Sequence, residues 1–120
     1  MKKTVINNAF IEKYRIDLEV IRNTAAQIIK DFGLSAVEIT FSGNEQIAYE
    51  ELKSQIIPAL NKLYKSNHSA FLSLFYRIDV NEKKVHEVIS NSSKEDQAEQ
   101  LSKLVLEREF MKVLYKKIYS

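Results

Sequence analysis

The chain has no cysteine, a single proline and only two glycines among its 120 residues. Without cysteine it can form no disulfide, zinc–thiolate site or thiol nucleophile, and this composition suits a reducing compartment. The scarcity of proline and glycine favours long helices, because these residues are the strongest local breakers of regular structure.

Long apolar runs are also missing. No stretch approaches the roughly 20 apolar residues that a membrane-spanning helix needs. The basic start, Met1 to Lys3, resembles the beginning of a secretory signal, but Asn7, Asn8 and Glu12 interrupt the apolar segment that should follow. We therefore expect a cytoplasmic protein without a membrane segment.

Composition and charge are those of an ordinary globular domain. Hydrophobic residues make up 45% of the chain, charged residues 28%, and the net charge is only +2. This balance argues against disorder and against a protein built mainly to neutralise phosphates. The length predicts one domain over residues 1–120. The preference for lysine over arginine, with frequent isoleucine and asparagine, suggests a bacterial source.

Hydrophobic spacing predicts the first helix, which starts near Asn7 or Asn8 and ends at Phe32. Alternating steps of three and four residues place one apolar stripe along it. Gly33 follows where a left-handed residue commonly ends a helix. The residues of the stripe are Ile11, Tyr14, Leu18, Ile21, Ala25, Ile28 and Phe32.

Residues 34–44 are the least helical part of the sequence. Val37, Ile39 and Phe41 alternate with polar residues, which is the period of a half-buried strand. A strand needs a partner for its backbone groups. Residues 4–6, or the same segment of a second subunit, could supply one. The alternative is an extended connector that lies across the helices.

Four further helices are expected. Ser42 and Glu45 form a capping-box pattern that opens the second helix, in which Pro58 predicts a kink or break near residues 54–57. The third helix covers residues 67–78, and Asp79 with Glu82 resembles a second capping box before the fourth. Ser92 or Ser93 caps the last helix, which continues towards Tyr119. The predicted fold is mainly α, a compact bundle or orthogonal array of about five helices, with room for one short β segment near 36–41.

The last helix carries more apolar surface than one buried face requires. Leu101, Leu104, Val105 and Tyr115 share one side, and a second apolar set lies largely opposite. A helix that is apolar nearly all round is buried on more than one side. Either this helix is central to the fold, or its second face forms a homo-oligomer, with a dimer favoured. The predicted interface consists of Leu106, Phe110, Met111, Val113 and Leu114.

The end of the same helix offers an alternative. Lys112, Lys116 and Lys117 accompany Tyr115, and basic residues mixed with aromatic ones can bind a nucleic-acid backbone and stack on bases. However, Glu95 begins this helix, and acids first with bases last is also the order that complements a helix dipole.

No catalytic motif, metal site or cofactor-binding site is expected. Glu82 and His86 share a helix face, but no second ligand pair accompanies them, so a surface pair is the better interpretation. Glu107 and Glu109 point away from each other on a helix and cannot act on one substrate. The sequence thus favours a non-catalytic protein–protein interaction module, an adaptor or regulatory subunit that self-associates. A nucleic-acid-binding or regulatory protein is the alternative.

Overall fold

The computed structural model describes residues 7–119, and within this range the protein is all-α, as predicted. It has six helices and no strand. A single 3-10 turn, Glu45–Ile47, precedes the third helix. The helices are α1 (Asn8–Arg15), α2 (Leu18–Gly33), α3 (Ala48–Ser66), α4 (His68–Ile78), α5 (Glu82–Asn91) and α6 (Lys94–Tyr119).

The predicted first helix is in fact two helices. α1 ends at Arg15, and Asp17 starts α2 as an N-cap whose side chain accepts a 3.1 Å hydrogen bond from the amide of Val20. A short aspartate side chain competes for backbone amides in this way, which makes it favourable at helix starts. The apolar stripe continues through the break, and the prediction of one uninterrupted helix was therefore wrong.

The segment between α2 and α3 is an extended connector and not a strand. Gln55 of α3 accepts a 2.9 Å hydrogen bond from the amide of Thr40 and donates a 2.8 Å bond to the carbonyl of the same residue. One side chain thus satisfies both backbone groups that a neighbouring strand would otherwise pair. Ile39 is buried in the core, so the alternation seen in the sequence reflects real burial. The suggested partner at residues 4–6 lies outside the described residues.

Asparagine is the N-cap residue of more helices than the sequence predicted. Asn44 caps the 3-10 turn in place of Ser42, and Asn81 caps α5 in place of Asp79. Asp79 instead ends α4 in a left-handed conformation with φ of 65°. Asn67 caps α4 at the start of the helix predicted for residues 67–78, and Ser93 accepts a bond from the amide of Asp96 at the start of α6, as expected.

α3 continues unbroken through Pro58, so the predicted break within it is absent. The proline removes the amide that would bond to the carbonyl of Ser54. Both Pro58 and Ser54 are exposed, and water can therefore take the place of the missing amide.

α6 is the central helix, in agreement with the alternative weighed for it. It packs against α2, α3, α4 and α5. The main core lies between these helices and includes Phe32, Leu52, Phe71, Leu101 and Val105, none of which exposes measurable side-chain surface. A separate, smaller apolar cluster lies where α1 contacts the C-terminal half of α6. The two clusters account for the two apolar faces of α6.

Candidate functional site

The second face of α6, predicted to be an exposed interface, is covered by α1. Phe110 and Leu114 are fully buried and Val113 is nearly so, while Leu106 and Met111 are half-buried. Phe10, Ile11 and Tyr14 of α1 pack against the buried members of this face. The break at residues 16–17 gives α1 a direction of its own and so provides this cover. In the single chain Phe110, Val113 and Leu114 therefore do not form a free apolar surface, and their role in an interface stays a prediction.

Arg15 holds the end of α1 on α6. Its guanidinium group donates 3.0 Å hydrogen bonds to both carboxylate oxygens of Glu107 and a 2.8 Å bond to Glu12. The same group lies 4.7 Å from the centre of the Phe110 ring, within the range of a cation–π contact. A planar guanidinium suits both contacts, since it pairs with a carboxylate at its edge and stacks on a ring with its face.

An exposed apolar surface lies beside this contact, at the corner between α1 and α2. Ile16, Tyr49 and Leu106 line a shallow depression of about 430 Å³ whose rim carries the charged Arg15, Lys103 and Glu107. Ile16 is 79% exposed and is the most exposed of the large aliphatic side chains in residues 7–119. Two further exposed apolar residues, Leu18 and Ile47, lie two positions from Ile16 and Tyr49 along the chain. We call the three apolar residues that line this depression the corner patch: Ile16, Tyr49 and Leu106.

The hydroxyl group of Tyr49 adds a polar feature to the corner patch. It is shielded from solvent and has no hydrogen-bond partner among the described residues. Burial raises the pKa of Tyr49 to about 12, so the phenol remains a protonated donor at any physiological pH. A shielded donor without an acceptor costs free energy.

The basic residues at the end of α6 do not form one cationic surface. Lys112 points inward to Asp31 and Glu109, and Lys117 lies 3.2 Å from Glu19. Lys116 and Lys117 line an open groove of about 690 Å³ between α2 and α6, together with Lys30. Tyr115 stacks on Tyr119, with ring centres 6.0 Å apart. Of the predicted nucleic-acid-binding set, Lys112 is thus already engaged inside the protein.

A buried polar cluster joins α2 to α6. Asp31 and Glu109 are both buried, and the ammonium group of Lys112 contacts one oxygen of each carboxyl group. Gln27, one turn before Asp31, donates to both Asp31 oxygens at 3.2 and 3.1 Å. Gln27 also lines the open groove, so the cluster lies just below that surface.

The surroundings of Glu109 in this cluster favour its protonated form. As a carboxylate it would have no hydrogen-bond donor among the described residues, apart from its ion-pair contact with Lys112. Burial, as the largest cause, and a hydrogen bond to Asp31 raise the pKa of Glu109, Lys112 lowers it, and the net result is a pKa of about 8. Burial would also raise the pKa of Asp31, but hydrogen bonds from Glu109 and Gln27, with Lys112, outweigh it and leave this pKa below its ordinary value. The pair therefore holds one proton, on Glu109.

A shared proton between two carboxyl groups also occurs in acid–base catalysis, but here the carboxyl oxygens have no space beside them for a substrate. Glu109 exposes no surface and Asp31 only 5%. Glu107 and Glu109 lie on opposite sides of the helix, as predicted: Glu107 is exposed and Glu109 is buried. Asp31 was missed as a member of the cluster. Its position beside the apolar stripe, three residues after Ile28 and directly before Phe32, was the available signal.

The predicted pair of His86 and Glu82 lies on the surface. His86 lies 3.7 Å from Glu82, and both side chains are more than two-thirds exposed. Within residues 7–119, no group of three or more potential ligands could hold a metal ion. In the same range, no helix combines the length and apolar character required to cross a bilayer.

Comparisons with known protein families, with characterised proteins and with solved structures give no match to this chain.

Proposed function

We propose that this protein is a non-catalytic interaction module that self-associates through the corner patch, acting as an adaptor or regulatory subunit. The observation that carries the proposal is the exposure of Ile16, at 79%, beside a depression lined by Tyr49 and Leu106. Leu106 belonged to the interface predicted from the sequence, and it is the member of that set that still contributes to an open apolar surface.

The composition of the corner patch resembles the centre and rim of a protein interface. Aliphatic and tyrosine side chains form the middle, and Arg15, Lys103 and Glu107 stand around it. Interfaces commonly have an apolar centre that excludes water, surrounded by a charged rim. The rim carries charges of both signs, which suits contact between two copies across a two-fold axis. The absence of cysteine is in keeping with the cytoplasm, which we propose as the location.

Single substitutions test this assignment. Ile16→Glu places a charge at the centre of the corner patch, whereas Leu72→Glu makes a similar change at an exposed position of α4, 46% exposed. We expect sedimentation equilibrium to show weaker association for Ile16→Glu and an unchanged association constant for Leu72→Glu. Equal association of the two variants would show that the corner patch is not the interface.

Nucleic-acid binding is the second candidate, and one observation favours it. Lys30, Lys116 and Lys117 line the same open groove between α2 and α6. Binding through these residues would weaken steeply as salt is added, because each neutralised phosphate releases counterions. Fluorescence anisotropy with a labelled oligonucleotide at low and moderate ionic strength measures this. No binding at low ionic strength would exclude this function.

A further inference from the structure

α1 is attached to the rest of the protein by few contacts. None of its eight residues is buried. No α1 residue belongs to the main core, which is formed by the other helices and the connector. Its apolar side chains take part only in the smaller cluster, against Val20, Phe110, Val113 and Leu114. Removing α1 would therefore expose the second face of α6 while leaving the main core closed.

α1 also depends on that face for its own structure. Isolated helices shorter than roughly 12 to 15 residues are marginal in water, and α1 has eight. The face of α6 supplies apolar contacts for Phe10, Ile11 and Tyr14, and Glu107 supplies the ion pair for Arg15. These contacts are available equally from α6 of the same chain or of a second copy.

The break between α1 and α2 is short. It consists of Ile16 and Asp17, stabilised by the Asp17 cap and by a 3.2 Å bond from the Asp17 amide to the Tyr14 carbonyl. The spacing of apolar residues continues through it, as in an uninterrupted helix. Leu18 belongs to that stripe and is nevertheless 52% exposed in the bent arrangement. The sequence between residues 8 and 33 is thus compatible with a straight helix as well as a bent one.

We propose that two copies of this chain exchange α1: the α1–α2 hinge straightens, and each α1 docks on the Phe110, Val113 and Leu114 face of the other copy. The proposal rests on the self-association proposed above and names its mechanism. A second copy is the occupant because its α1 has the same side chains that already cover this face. The exposed hinge residues Ile16 and Leu18 then lie between the two copies, where burial accounts for their apolar character.

Reversal of one ion pair tests the exchange. In Arg15→Glu, residue 15 faces the acidic Glu107, and in Glu107→Arg two arginines face each other, so each variant alone has like-charged pairs both in its monomer and in its exchanged homodimer. In an exchanged heterodimer of the two variants, each α1 meets an oppositely charged residue 107 on the other chain. Both ion pairs are then restored.

Native mass spectrometry of the mixture distinguishes the outcomes, since the two variants differ in mass. We expect the heterodimer to exceed its statistical share of half of all dimers. Wild type mixed with Arg15→Glu is the matched control, because that heterodimer restores only one pair and should remain near the statistical share. Dimers that form without preference for the heterodimer would overturn the exchange while leaving self-association intact. A wild-type chain that stays monomeric would overturn both proposals.

A hinge variant provides independent evidence. Leu18→Pro fits the bent form, because residue 18 is the first position of α2 and Asp17 already has the extended conformation, φ −72° and ψ 118°, that precedes proline well. In a straight helix the same proline is unfavourable, and it lowers the equilibrium constant for straightening by a factor of about 100 for each hinge. Leu18→Pro should therefore be monomeric with unchanged helical content, whereas Leu18→Ala should still form dimers. Equal dimerisation of both variants would contradict a straightened hinge.

Discussion

Replacing Glu109 with glutamine should remove a pH dependence of stability that the cluster with Asp31 and Lys112 creates. Glu109 has a pKa of about 8 in the folded protein, against 4.5 as its ordinary value. A carboxyl group whose pKa is raised on folding makes the folded protein more stable at low pH than at high pH. That contribution is fully present below about pH 4.5 and is lost as the pH rises through 8.

The size of this effect follows from the interval between the two pKa values. Each tenfold fall in proton concentration within it lowers the free energy of unfolding by about 1.4 kcal/mol. Between pH 4.5 and 8 the loss attributable to Glu109 is therefore about 5 kcal/mol, of which about 3 kcal/mol has occurred by neutral pH. Glutamine has nearly the same shape, can donate to Asp31 and accept from Lys112, and cannot ionise.

Urea unfolding, followed by circular dichroism from about pH 5 to about pH 9, measures this difference. The wild type and Glu109→Gln should have similar stability at the acidic end, and the variant should become progressively more stable by comparison as the pH rises. Glu87→Gln, the same change at an exposed position of α5, is the control and should follow the wild type throughout. Parallel profiles for wild type and Glu109→Gln would refute a protonated, buried Glu109.

Three other substitutions have effects on the free energy of unfolding that the same urea experiment can measure. Phe110→Ala should lower it by about 3–5 kcal/mol, because the ring is fully buried beneath α1; a loss below about 1 kcal/mol would mean that α1 does not cover this residue. Gly43→Ala should lower it by about 1–2 kcal/mol, because φ is 93° at this position, and an unchanged value would contradict that conformation. Asn67→Ala removes the N-cap of α4 and should lower it by about 1 kcal/mol, whereas no loss would show that the cap bond contributes nothing.

The sequence predicts the helical parts of this fold well where local signals and tertiary packing agree. Asn67 and Ser93 start helices as expected because their side chains need only the backbone amides three residues further on. The break at Asp17 could not be predicted in the same way. Aspartate is tolerated within a helix, and what selects its capping role here is the packing of α1 on a helix that lies about 90 residues further along the chain.

At the candidate site, too, local features could be predicted from the sequence and features that depend on tertiary packing could not. The two apolar faces of α6 were evident from the sequence, but the cover over the second face depends on the direction that the break at residues 16–17 gives to α1. The connector was ambiguous because its partner is the side chain of Gln55 and not a second strand. The buried pair of Asp31 and Glu109 joins residues from two distant helices, and no spacing within one helix reveals it.

The most direct test of self-association is the solution mass of the unmodified chain, measured by light scattering after size exclusion over a range of protein concentrations. A chain of 13.9 kDa that associates through α1 and the corner patch should shift towards twice that mass as concentration increases. A mass that stays at 13.9 kDa up to the highest concentration would contradict self-association and leave the exposure of Ile16 without an explanation.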